Sequence, residues 1–169
     1  MKETLLTVLE NTRLADGIYR LRLAGDTSAI TAPGQFVNLK LSGFFLRRPI
    51  SVCDWENGEV TLIYKVLGHG TEAMTGMAVG TALDVLTGLG NGFDMSRGGE
   101  HPLLVGGGVG IPPLYGLAKR LHGQGKDRAS KLCRVLALLL PAFLHGCYDY
   151  IATIESVHYG WLFAAFVAV

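Results

Sequence analysis

Arg48-Pro49-Ile50-Ser51-Val52-Cys53-Asp54-Trp55-Glu56-Asn57-Gly58-Glu59-Val60-Thr61-Leu62-Ile63-Tyr64-Lys65-Val66-Leu67 reads as two β-strands, 48–55 and 59–67, joined by a turn at Asn57-Gly58. Asn-Gly between β-rich runs is the strongest short-range hairpin signal, because a type I′ turn needs φ > 0 at both central positions. Pro49 opens its strand, where a missing N–H is tolerated, and holds Arg48 extended. Arg48 and Ser51 then place a cationic fork and a hydroxyl on one exposed lip. That pairing suits a ligand carrying phosphate and a polar ring edge. An edge strand with a solvated arginine and a turn serine fits Arg48, Pro49, Ile50 and Ser51 equally well.

Working outward, residues 1–100 read as all-β. Short β-rich runs at 5–10, 18–23, 35–41, 51–55, 60–67 and 82–86 are separated by Gly, Pro, Asn and Asp. Tyr19, Leu21 and Leu23 alternate with Ile18, Arg20 and Arg22, and Val37, Leu39 and Leu41 with Asn38, Lys40 and Ser42. Such period-2 patterning marks half-buried antiparallel strands. Six of them point to a small closed barrel, with one short helix expected near 71–77. The pattern changes at His101. Residues 102–105 form a continuous apolar strand, Gly106-Gly107-Gly108-Val109-Gly110 a glycine loop, and 112–122 a helix with Pro112 and Pro113 in its first turn. Strand, glycine loop and helix open a nucleotide-binding α/β unit, spanning about 101–130.

The chain has 169 residues, 15 basic and 14 acidic, for a net charge of +1. That balance indicates neither nucleic acid nor an acidic substrate as partner. Its three cysteines, Cys53, Cys133 and Cys147, are far apart. They suggest no disulfide framework and no metal knot, so a cytoplasmic protein with reduced thiols is expected. Neither late apolar block, 132–144 or 160–169, reaches the roughly 18–20 residues that span a bilayer, and no membrane association is expected.

Three further clusters bear on chemistry. The Gly106, Gly107, Gly108 and Gly110 loop lacks a strict G-x-G-x-x-G spacing, yet its glycines allow backbone approach to a pyrophosphate at a helix N-terminus; a tight ligand-free connection is the other reading. Ile63, Tyr64 and Lys65 with Gly70 and Thr71 offer a ring cover, a positive charge and a helix start with Thr71 as N-cap. Tyr64 as cross-strand packing and Thr71 as an ordinary cap are the plain alternatives, and the plain reading is preferred for His69. Gly88-Leu89-Gly90-Asn91-Gly92-Phe93 makes a loop able to press on a planar ligand, with Phe93 available as a lid.

Taken in order, these segments together with Pro33-Gly34-Gln35-Phe36-Val37 and Ile111-Pro112-Pro113-Leu114 give a chain that resembles the ferredoxin-reductase superfamily. More closely, it resembles the electron-transfer subunits of B-type dihydroorotate dehydrogenase, over about residues 1–123. The resemblance implies a mainly β fold: a six-stranded antiparallel Greek-key barrel that binds FAD (1–100), followed by an incomplete NAD-binding α/β unit. It implies that Arg48 pairs with the FAD diphosphate and Ser51 approaches the isoalloxazine edge. Ile63, Tyr64 and Lys65 would line flavin and ribose, Gly70 and Thr71 would hold phosphate, and the Gly106–Gly110 loop would face NAD(H). No side chain would act as a general acid or base. The implied partner is the dihydroorotate dehydrogenase catalytic subunit, in pyrimidine biosynthesis. Rival readings are another flavin reductase of the superfamily and a non-catalytic barrel or inactive product.

The resemblance fails after about residue 123. Family members carry a cysteine cluster for a [2Fe–2S] centre, which needs four thiolates or their equivalent close together, and three scattered cysteines do not supply them. Residues 131–169 are expected to be an atypical apolar tail, and the chain from about residue 124 onward to be non-native, translated out of frame. The other two reading frames of the gene should then contain the missing α/β strands and the cysteines.

Overall fold

The computed structural model describes residues 1–99 and 102–124. The expectations for 131–169 lie outside the described residues, as does His101.

Six strands, β1 (Lys2–Ala15), β2 (Ile18–Gly25), β3 (Phe36–Leu39), β4 (Arg48–Glu56), β5 (Glu59–Lys65) and β6 (Ala82–Leu89), close into an antiparallel barrel in the order β1-β2-β5-β4-β3-β6. β1 pairs with both β2 and β6, which leaves the sheet no free edge. The β2–β3 connection passes over the β4–β5 hairpin, so the barrel is a Greek key. Asn57 and Gly58 have φ of 52° and 78°, the left-handed pair that the hairpin turn requires.

The alternation read from the sequence sorts inside from outside. Leu21, Leu23, Val37, Leu39, Val60, Leu62 and Val85 are fully buried at 0% exposure, and each large aliphatic side chain contributes roughly 1.5–3 kcal/mol by leaving water. α1 (His69–Thr75) closes against this core through Met74. Strand bounds differ mainly at β1, which runs to both sides of the expected 5–10 because its polar outer residues pair with β2 and β6. α1 starts two residues earlier than expected.

Residues 102–105 are not a strand, which corrects the sequence reading. A parallel strand needs neighbours to bond with, and among the described residues this segment has none; Leu103 and Val105 are exposed. The glycine loop follows, with a short 3₁₀ turn at Gly108–Gly110, and then α2 (Ile111–Gly123), with Pro112 and Pro113 in its first turn as expected. No helix among the described residues is long and apolar enough to cross a membrane.

α2 lies on the outer face of β4. The Arg120 guanidinium sits 3.5 Å from the centre of the Trp55 ring. Lys119 Nζ is 2.9 Å from both Asp54 Oδ2 and Glu56 Oε2. Gly116 passes so close to β4 that a Cβ there would come within 2.8 Å of the Cys53 carbonyl oxygen.

Candidate functional site

The β4–β5 ladder runs from Glu56↔Glu59 to Val52↔Leu62, with a bulge between Val52 and Asp54, and goes no further. Below Val52, β4 is paired on its other side only, to β3: Ser51↔Phe36, Ile50↔Val37, Pro49↔Asn38 and Arg48↔Leu39. Bulges commonly end pairing and bend a strand. Here β4 and β5 part, and a cleft of about 230 Å³ opens between Pro49, Ile50 and Ser51 on one wall and Ile63, Tyr64 and Lys65 on the other. Thr71 of α1 borders it as well. Seven residues singled out from sequence therefore meet in one cleft.

Arg48 stands at its margin. The neighbouring Arg47 is consumed structurally: its guanidinium lies 3.0 Å from Asp84 and 2.6 Å from Glu3, which holds it further up in the protonated range. Arg48 makes no ion pair among the described residues. It donates to the Leu46 carbonyl at 2.8 Å and lies 4.9 Å over the Phe44 ring. Its fork is laid directly on the backbone of α1, where a Cβ on Gly70 would come within 1.8 Å of Arg48 Nε. Gly70 is thus the gap that lets the cation reach the start of the helix. Lys65 is exposed and likewise has no carboxylate partner among the described residues.

Three expectations are corrected. Tyr64 does not lay its ring over the cleft. The ring is 2% exposed inside the barrel, stacked on Tyr19 at 5.6 Å, and its hydroxyl donates to Asn11 Oδ1 at 3.2 Å, so the packing reading holds for the ring. Thr71 is not the N-cap. Gly68 takes that place, and Thr71 Oγ1 accepts from the N–H groups of Leu67 (2.9 Å) and Gly68 (3.3 Å) while donating to the Gly68 carbonyl (3.0 Å). Phe93 is not a lid here: it covers Gly34 and borders a separate cleft with Pro102 and Leu121. His69 is exposed, 3.6 Å from Glu72, with nothing to mark it as a base.

Burial pushes the Tyr64 hydroxyl up to about 12. A folded pKa above the unfolded value near 10 gives stability that is complete below pH 10 and declines as pH rises towards 12. Alkaline denaturation should show this fall, and Tyr64→Phe should flatten it; equal slopes for the two proteins would contradict the assignment.

Gly106, Gly107, Gly108 and Gly110 are all exposed, and Gly108 has a left-handed φ of 53°. The loop reaches the β4–β5 cleft through Val109, a lining residue that sequence reasoning missed along with Leu67. Both are apolar residues set among glycines or at a strand end, where no pattern flags them.

The donor set fits FAD. A narrow cleft between two strand walls accepts a fused ring, and its volume is too small for a whole dinucleotide. A diphosphate would then lie outside, where Arg48, without a carboxylate partner among the described residues, rests on Gly70. No group of three or more His, Cys, Asp or Glu gathers among the described residues, and Cys53 is buried.

A closed six-stranded barrel with an arginine fork beside an opened hairpin, followed by a glycine loop, defines a protein of the ferredoxin-reductase class. An NADH-dependent reduced ferredoxin–NADP oxidoreductase has this architecture, with a TM-score of 0.65 and 31% identity over 71% of this chain and 45% of its own. Phthalate dioxygenase reductase shares the fold at a TM-score of 0.64. Within that class the chain belongs to the family of dihydroorotate dehydrogenase B (NAD⁺) electron-transfer subunits. It is 44% identical to the Bacillus pumilus subunit over 133 residues, 74% of this chain and 52% of that one. It is 40% identical to the Geobacillus sp. subunit over 169 residues, 94% of this chain and 66% of that one. The chain spans about half the length of most of the curated relatives it matches. No family model matches it.

Proposed function

We propose that this chain is the FAD-holding part of an electron-transfer subunit that links NAD(H) to a dihydroorotate dehydrogenase catalytic subunit in pyrimidine biosynthesis. The observation that carries the proposal is Arg48, unpaired by any carboxylate among the described residues and seated on Gly70 at the margin of the β4–β5 cleft. Arg48 binds the diphosphate, Ser51 and the walls at Ile63, Tyr64 and Lys65 orient the ring, and Gly70 and Thr71 complete the phosphate corner. Bound FAD would supply the redox chemistry, exchanging an electron pair with a nicotinamide and releasing electrons singly. The glycine loop at Gly106, Gly107, Gly108 and Gly110 presents the nicotinamide dinucleotide to that cleft. The sequence given holds three cysteines, fewer than a [2Fe–2S] centre requires, so onward electron transfer is assigned to no residue of this chain. A cytoplasmic setting agrees with cysteines that show no pairing pattern.

The test is direct. Purified chain titrated with FAD should take up one equivalent, with quenched flavin fluorescence and a structured absorbance band. A colourless protein that leaves added FAD free in solution would overturn the proposal.

A further inference from the structure

Asn11 lies in β1 opposite Leu21, outside every motif named above. Its side chain nevertheless touches two elements at the cofactor cleft, α1 on its border and the β5 wall. Asn11 Nδ2 donates to the carbonyl oxygens of Met74 (2.8 Å) and Thr75 (3.2 Å), with Met77 at 3.4 Å. Met74 and Thr75 are the last two residues of α1 and Met77 follows its C-cap, where carbonyls lack the i+4 partner of the helix interior; the Met74 carbonyl also accepts from the Met77 N–H at 3.2 Å. Asn11 Oδ1 accepts from the Tyr64 hydroxyl at 3.2 Å, and Tyr64 belongs to the β5 wall. The orientation of the amide is set by its surroundings, because a flipped side chain would face its oxygen to three carbonyl oxygens and its NH₂ to a hydroxyl.

We infer that Asn11 is a positioning residue for the flavin site: it fixes α1 relative to β5, and so fixes Gly70 beneath Arg48 and Thr71 beside the cleft. α1 is one seven-residue helix, too short to be stable alone. It is attached to the core chiefly through Met74, which is fully buried. One fully buried side chain, with Val66 and Met77 partly buried on either side of the helix, leaves rotation about the helix axis weakly restrained. The Asn11 amide adds directional bonds at that same C-terminal end of the helix, and Tyr64 ties the amide to the β5 wall. A helix and a strand bonded to one side chain keep their spacing. This inference rests on the FAD reading for its ligand and on geometry for the rest.

Asn11→Ala removes every bond at once. Tyr64→Phe removes only the β5 bond, and Val8→Ala, in the same strand and fully buried, is the control for general destabilisation. Hydrogen exchange on the flavin-free chain is measured first. Amides of α1 should exchange about tenfold faster in Asn11→Ala than in Val8→Ala, the loss expected for one or two net hydrogen bonds. Equal exchange in the two variants would overturn the inference whether or not flavin binds. FAD and riboflavin titrations follow. Asn11→Ala should weaken FAD about tenfold and riboflavin less, since riboflavin lacks the diphosphate that Arg48 would hold; Tyr64→Phe should affect the two equally. An Asn11→Ala protein that binds both like the unaltered chain would also overturn it. An unaltered chain that binds neither defeats the FAD reading instead, and the exchange comparison still decides the role of Asn11 in holding α1.

Discussion

Arg48→Ala is expected to weaken FAD binding by about one to two orders of magnitude while leaving the barrel folded. A charge-assisted hydrogen bond contributes roughly 1.5–3 kcal/mol, which corresponds to about ten- to 150-fold in affinity. Arg48→Lys should recover only part of this, because a point charge cannot reproduce a planar fork. Gly70→Ala separates the site from the fold more cleanly. In a helix alanine is favoured over glycine by about 1 kcal/mol, so stability alone predicts an unchanged or higher melting temperature. The added Cβ, however, would come within 1.8 Å of Arg48 Nε. What stands in its way is the far end of a flexible side chain, so the arginine swings off at little energetic cost and the chain still folds. Gly70→Ala should therefore bind FAD almost as poorly as Arg48→Ala with its arginine intact. Normal affinity in Gly70→Ala would mean that Arg48 does not act from its place over α1.

The barrel was legible because its signals are local. Alternation in β2 and β3 and the Asn57-Gly58 turn each fix a strand or a junction without knowledge of the rest, and all appear where expected. The cleft was legible only as a set of residues. Sequence order does not reveal that a bulge at β4 ends the ladder at Val52↔Leu62, and without that break Ser51 and Ile63 would lie in continuous sheet. Tyr64 illustrates the same limit. In a strand of period 2 its neighbours Ile63 and Lys65 face outward and Tyr64 faces the core, yet membership of a functional motif drew its ring to the ligand side. Asn11 carried no signal at all, since a polar residue in an exposed-looking strand is ordinary; its role depends on a helix more than sixty residues away. The segment at 102–105 misled for the opposite reason. An apolar run before a glycine loop has the composition of a parallel strand, but composition cannot supply the neighbouring strands that would pair with it.

The other large effect concerns the glycine loop, which leads into α2 docked on β4 and itself touches β5. Glycine inside a helix costs about 1 kcal/mol relative to alanine, so its presence at 116 needs a packing reason, and the Cys53 carbonyl oxygen 2.8 Å from where a Cβ would stand provides it. That obstacle is backbone and cannot swing away. Gly116→Val must push α2 off the strand or strain both, at about 1–3 kcal/mol. The Trp55–Arg120 stack and the bonds from Lys119 to Asp54 and Glu56 are surface contacts of modest strength, too weak to hold the helix against such a clash. Amide exchange in α2 should rise about five- to 150-fold. In a Trp161→Phe background, which leaves Trp55 as the single tryptophan, emission should shift to the red as the ring is uncovered. FAD affinity should fall by less than in Arg48→Ala, because Arg48 and Gly70 are untouched. Arg120→Ala, which adds no bulk, should give the same changes in milder form. If α2 keeps its protection in both variants, then its seat on β4 is not what holds Val109 at the mouth of the cleft.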